Sequence, residues 1–127
     1  MRVLIDTSIW VDHFRKANLR LKELLEDDRV MIHRYVVGEI ACGSFGNRAE
    51  LMSLLQLLPG CEEANFDEVL EAISSRKLYG KGVGFVDACL ATSCLLTPCL
   101  LWTADKRLRT IASELKFSFP DDSLVEY

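Results

Sequence analysis

Short apolar runs alternating with amphipathic stretches predict an α/β chain, a three-layer α/β/α sandwich around a central parallel sheet. Two observations carry that class. Val3-Leu4-Ile5, Val30-Met31-Ile32 and Cys99-Leu100-Leu101-Trp102 are apolar without alternation, as buried parallel strands are. Between them, leucines, isoleucines and valines recur at three- and four-residue spacing, the period of helices with one buried stripe.

Taken in order, Arg2 to Asp6 predicts the first strand, and Thr7 or Ser8 can cap a short helix carrying Ile9, Trp10, Val11 and Phe14. A second helix covers Leu19 to Glu26. Asp27-Asp28 breaks the pattern before a second strand, Arg29 to His33. Val36 onward reads as a helix ending near Gly43-Ser44-Phe45-Gly46, and Asn47 can cap the next one. In that helix Leu51, Leu54, Leu55 and Leu58 repeat until Pro59-Gly60 stops it. Cys61 to Ala64 is expected as a short edge strand and Asp67 to Tyr79 as an amphipathic helix. The glycine-rich stretch Gly80-Lys81-Gly82-Val83-Gly84 leads into a helix from Phe85 to Leu95. Pro98 separates that helix from a strand, Cys99 to Thr103. A last helix, Asp105 to Leu115, and a last strand at Phe117-Ser118-Phe119 complete the chain.

The 127 residues are expected to form one domain, residues 1–127, with a core that needs no staples. Half the residues are hydrophobic and 27% charged, ordinary for a compact soluble domain. A net charge of −4 argues only weakly against nucleic acid as a partner, because local patches rather than totals meet phosphates. The five cysteines are odd in number and form no C-x-x-C pair, which disfavours a disulfide framework or zinc site and fits a reducing cytoplasm. Asp6 arrives too early for a signal peptide, and no apolar run is long enough to cross a membrane.

The chemistry lies in four carboxylates. Asp6 ends Val3-Leu4-Ile5, Glu39 interrupts Val36-Val37-Gly38-Glu39-Ile40, Asp87 follows Gly84-Phe85-Val86, and Asp105 stands just past Leu101-Trp102-Thr103. An anion beside an apolar run is costly, and four gathered together also repel. In a parallel sheet, side chains beyond the carboxyl ends of the strands share one crevice, where Asp6 and Asp105 fall. Glu39 and Asp87 are expected in the first turns of helices facing it. An oxygen-only cluster selects hard cations such as Mg²⁺ or Mn²⁺. It suits one ion or two, the latter roughly 3.5–4 Å apart, and such sites cleave phosphodiesters through activated water.

These same stretches, Val3-Leu4-Ile5-Asp6-Thr7-Ser8-Ile9-Trp10, Val37-Gly38-Glu39-Ile40, Gly84-Phe85-Val86-Asp87-Ala88 and Leu101-Trp102-Thr103-Ala104-Asp105-Lys106-Arg107-Leu108, resemble the PIN-domain ribonucleases. Within them the pattern is most similar to the VapC-type toxins of toxin–antitoxin pairs. All four motifs appear in the family's order, nearly end to end. The resemblance implies a PIN-like fold and a Mg²⁺- or Mn²⁺-dependent endoribonuclease, a homodimer held in check by a cognate antitoxin. It makes Asp6, Glu39, Asp87 and Asp105 the acidic quartet. Asp6 and Asp87 are then direct metal ligands, while Glu39 and Asp105 act directly or through water. Thr7 or Ser8, and Thr103, match hydroxyl positions that steady the carboxylates.

Plainer readings stand beside each residue. Taken singly, Asp6, Asp87 and Asp105 read as helix caps; four coincident caps in family order do not. Lys106 and Arg107 are either surface charge or an offset to substrate phosphates. Arg76, Lys77 and Lys81 read as a solvated face, and the glycines as a turn rather than a phosphate loop. Trp10 and Phe14 are expected to be partly core; if exposed, they and the Leu51–Leu58 helix would offer an antitoxin or dimer face. Two rivals remain at this stage. A phosphotransfer enzyme on a similar frame lacks its second Asp, since position 8 is Ser. A non-catalytic PIN-like module binding RNA or protein would not need the full quartet.

Overall fold

The computed structural model describes residues 1–121. Strand β1 (Val3–Ile5) lies between β2 (Val30–Met31) and β3 (Leu100–Trp102), giving the order β2-β1-β3 with both pairings parallel. Val3 pairs with Val30 on one side and Leu100 on the other. Every side chain of β1 is fully buried, which explains its unbroken apolar run: a central parallel strand has no wet face.

Two expected edge strands are single rungs. Ile32 donates to Pro59 O at 2.9 Å and accepts from Cys61 N at 3.0 Å, so the bridge falls at Gly60 and not within Cys61–Ala64. The chain then peels away because Glu62 N–H bonds to the Thr97 hydroxyl at 3.1 Å. At the other edge Leu101 N–H donates to Phe117 O at 2.8 Å and Leu101 O accepts from Phe119 N at 2.9 Å, making one bridge at Ser118. Pro120, which has no N–H, follows at once.

The helices are α1 (Thr7–Arg15), α2 (Leu19–Glu26), α3 (Arg34–Ala41), α4 (Arg48–Leu55), α5 (Phe66–Ser75), α6 (Phe85–Leu96) and α7 (Lys106–Glu114). α1 packs on α3 and α3 on α4, while α6 packs on α5, α7 and β3. Parallel crossovers are right-handed. The chain moves from β1 toward β2 through α1 and α2, and back across to β3 through α5 and α6. The two helix groups therefore cover opposite faces, as a three-layer α/β/α sandwich requires. One core cluster joins them through Leu4, Ile5, Leu24, Leu90, Leu101, Trp102 and Ile111.

Several boundaries differ from expectation for local reasons. Asp6, not Thr7 or Ser8, is the N-cap of α1, its carboxylate accepting from Thr7 N. The helix α3 starts at Arg34, two residues before Val36, because the His33 ring accepts from Tyr35 N–H at 3.0 Å. Asn47 stands at the start of α4 in the left-handed region (φ 56°) and makes no side-chain cap. Asn65 and Glu68 close a reciprocal capping box that starts α5. That helix ends at Ser75, short of Tyr79, where Lys77 turns left-handed (φ 55°). Among the described residues no helix is long and apolar enough to cross a membrane.

Candidate active site

Because the chain leaves β1 toward β2 on one side and later returns to β3 on the other, a crevice opens between the carboxyl ends of β1 and β3. Asp6 follows β1 and is buried; Thr103 follows β3 and is buried too. The Thr103 hydroxyl donates to Asp6 Oδ2 at 2.6 Å, joining two residues 97 positions apart. Ser8 Oγ also donates to Oδ2, at 3.1 Å, and Thr7 N–H to Oδ1 at 2.8 Å. Three donors thus fix the plane of the Asp6 carboxylate.

The bonds continue outward. Thr103 Oγ1 accepts from Asp105 N–H at 3.0 Å, and Ser8 Oγ accepts from Ala104 N–H at 3.1 Å, tying α1 to the β3–α7 turn. Asp105 caps α7, its Oδ1 accepting from Arg107 N at 2.9 Å and Leu108 N at 3.0 Å. Thr7 Oγ1 donates to Glu39 Oε1 at 2.7 Å, bringing α3 to the same place. Asp87 Oδ2 accepts from Gly84 N–H at 3.3 Å across the first turn of α6. Burial pushes the Asp87 carboxyl above the ordinary carboxylate value, the Gly84 amide opposes this, and the charges of Asp6, Asp105 and Glu39 add to the rise. Asp87 therefore feels the other three carboxylates.

Two expectations are corrected. Glu39 lies in the last turn of α3, not the first, because the helix begins earlier than its apolar pattern suggests. It is also exposed, since Val36 and Ile40 occupy the buried stripe and Glu39 faces away from it. Burial falls from Asp6 to the half-buried Asp87 to the exposed Glu39 and Asp105. The cap reading and the cluster reading hold together: Asp6, Asp87 and Asp105 each sit at a helix start, where the partial positive charge of the dipole offsets their mutual repulsion.

The donors are carboxylate and hydroxyl oxygens, a set suited to a hard divalent cation. Among the described residues no three Asp, Glu, His or Cys side chains stand ready to hold one ion. Glu39 Oε1 accepts from the Thr7 hydroxyl and Asp105 Oδ1 from its own helix amides. The field on Asp87 is the observation that fits a cation: an added positive charge would relieve it.

The glycine loop has a role that its spacing did not reveal. Lys81 Nζ pairs with Glu114 Oε2 at 3.1 Å, and Arg107 Nη1 donates to Gly82 O at 3.4 Å, so the loop is strapped along α7. Away from the carboxylates, an apolar groove of about 580 Å³ runs between α1, α2 and α4, lined by Trp10, Phe14, Leu25, Leu51, Leu54 and Leu58 among others. Trp10 is core at 3% exposed, whereas Leu54 and Leu57 are open to solvent.

This fold and crevice define a PIN domain, and residues 3–114 match the PIN domain family: the chain belongs to it. It is 42% identical over 113 residues to Ribonuclease VapC32 of Mycobacterium tuberculosis, in both strain CDC 1551 / Oshkosh and strain H37Rv. That match covers 88% of this chain and 91% of the relative. The VapC-type PIN resemblance read in the sequence is borne out. The crystal structure of PAE2754 from Pyrobaculum aerophilum shares the fold, with a TM-score of 0.57 at 18% identity, covering 87% of this chain and 79% of that one.

Proposed function

We propose that the protein is a metal-dependent endoribonuclease, the toxin of a toxin–antitoxin pair, acting in the cytoplasm. The observation that carries this reading is the hydrogen-bonded chain Glu39–Thr7–Asp6–Thr103–Asp105, made by the Thr7 and Thr103 hydroxyls and the Thr7 and Asp105 main-chain amides, with Asp87 in its electrostatic field. The ribonuclease name of its relatives supports it. Asp6 and Asp87, the more buried pair, would hold Mg²⁺ or Mn²⁺; Glu39 and Asp105 would hold it directly or through water. The ion, when bound, supplies an activated water and neutralises charge on the phosphodiester.

The chain's own part is positional. Thr103, Ser8 and the Thr7 amide lock Asp6, leaving it no rotamer search when the ion arrives. The Thr7 hydroxyl holds Glu39 at the rim, where a carboxylate can orient water or take its proton. Lys106 and Arg107, at the start of α7, place positive charge where an RNA strand would approach. The expected partners are RNA, an antitoxin protein that inhibits cleavage, and a second copy of the chain.

The test is incubation of purified protein with total RNA in Mn²⁺ or Mg²⁺, with Asp6→Asn and Asp87→Asn beside it. Cleavage should occur with the wild-type protein, and excess EDTA or either substitution should abolish it while the circular dichroism spectrum is kept. Undiminished cleavage by Asp6→Asn, or in EDTA, removes the mechanism. RNA binding without cleavage across both metals would point to a non-catalytic module.

A further inference from the structure

Resting on that nuclease reading, we propose that Arg107, laid across Gly82, is the arm that holds a backbone phosphate of the RNA strand beside the carboxylates. Gly82 has φ +78°, a conformation that disfavours any side chain. A Cβ there would also stand 2.8 Å from Arg107 Cδ and 3.0 Å from both Nε and Nη1. The turn favours glycine through its positive φ, and the missing Cβ also leaves the room in which the arginine lies flat against it. Arg107 Nη1 donates to Gly82 O at 3.4 Å, a long contact that leaves the rest of the five-donor fork for a ligand.

The arm is tied to the candidate site at both ends. The Arg107 main-chain N–H bonds to Asp105 Oδ1 at 2.9 Å. Two residues along the loop it rests on, Gly84 N–H bonds to Asp87 Oδ2 at 3.3 Å. The Lys81–Glu114 ion pair holds that loop on α7. A cluster of four carboxylates repels a polyanion, so a strand entering it gains from a cation at the rim. The planar guanidinium suits a phosphate, because it can give two parallel hydrogen bonds to it. Gly82 sets where that fork sits, which a freely waving surface arginine would not.

The test is binding of a fluorescein-labelled, mixed-sequence single-stranded RNA 12-mer, followed by anisotropy over a range of KCl concentrations. Ca²⁺ replaces Mg²⁺, and a gel of the recovered RNA confirms that it is intact. Arg107→Gln keeps a polar side chain but removes the charge and the fork. It should bind about tenfold more weakly, as loss of a charge-assisted contact implies. The slope of log affinity against log salt should fall by about 0.7, the value for one phosphate contact on a single strand. Gly82→Ala leaves every charge in place and displaces the arm, so it should lose affinity likewise. The double variant should be no worse than Arg107→Gln alone. If Gly82→Ala does not fold, Arg107→Lys carries the comparison, with an intermediate affinity expected from a charge without the fork. Wild-type affinity and slope in Arg107→Gln would make Arg107 a loop strap only and overturn the inference, with the nuclease reading intact. Failure of the wild-type protein to bind the RNA would overturn both.

Discussion

Replacing Thr103 by valine removes one oxygen and nearly nothing else. Thr103 is 2% exposed, and valine fills the same volume. The hydroxyl does two things: it donates to the Asp6 carboxylate at 2.6 Å and accepts from Asp105 N–H at 3.0 Å. A hydrogen bond to a charged group contributes about 1.5–3 kcal/mol, and an amide left without its acceptor costs about 1–3 kcal/mol. Asp105 is exposed, so water can partly serve its amide, and the low end of the second range applies. The expected loss is about 3 kcal/mol. With unfolding entropies near 2.1 cal/mol/K per residue, that is about 11 °C in Tm for a chain of this length. Thermal and urea unfolding by circular dichroism, in EDTA, measures it. Thr103→Ser keeps the hydroxyl and should lose about 1 kcal/mol, for the missing methyl alone. A loss below about 1 kcal/mol in Thr103→Val, or an equal loss in Thr103→Ser, would refute the claim that this hydroxyl ties the Asp6 carboxylate to the Asp105 main chain. RNA cleavage should fall in the valine variant and persist in the serine variant.

Asp87→Asn should stabilise the metal-free protein at neutral pH, because the carboxylate pays for burial and three like charges that an amide does not feel. Differential scanning fluorimetry should show a higher Tm than wild type in EDTA and the reverse order in saturating Mn²⁺, which stabilises only the protein that binds it; a lower Tm in EDTA would contradict the field argument. Burial lowers the His33 pKa below 6.5, so the unfolded chain takes up the proton first. Stability is then full above pH 6.5 and falls as the pH drops through that value toward the lowered one. His33→Asn keeps a cap acceptor for Tyr35 N–H without titrating, and its urea midpoint should vary less between pH 7.5 and pH 5 than that of wild type; equal slopes would refute it. Asn65→Ala removes the side-chain acceptor of the Glu68 amide, one of the two bonds of the capping box on α5, and should lower unfolding free energy by about 1 kcal/mol, read by urea denaturation. No change in midpoint would mean that α5 is held by packing alone.

The parallel core was legible because β1, β2 and β3 are apolar without alternation, and the candidate site because each of its four carboxylates punctuates an apolar run. What escaped was anything set by contacts between distant residues. Nothing near Glu39 says that His33 will accept from Tyr35 N–H and start α3 early, moving the glutamate to the last turn. Nothing in Cys61–Ala64 says that Thr97 will capture the Glu62 amide and end the sheet. Gly82 read as a plain turn residue because the arginine it accommodates is 25 positions away. The resemblance implies that Thr7 or Ser8, and Thr103, steady the acids; in the structure all three hydroxyls bond to Glu39 or Asp6. Their division of labour came only from coordinates: Ser8 and Thr103 serve Asp6, while the Thr7 hydroxyl serves Glu39.

The bond from Thr103 to Asp6 also sets a clock on synthesis. β1 is made first yet lies at the centre of the sheet, so both of its neighbours reach it later, β3 last of all. At roughly 5–20 residues per second, the 97 residues between Asp6 and Thr103 take roughly 5–20 s to appear. Until then Asp6 lacks its shortest donor, and neither Asp87 nor Asp105 can take its place beside it. A nascent chain therefore displays an incomplete site until β3 has been made.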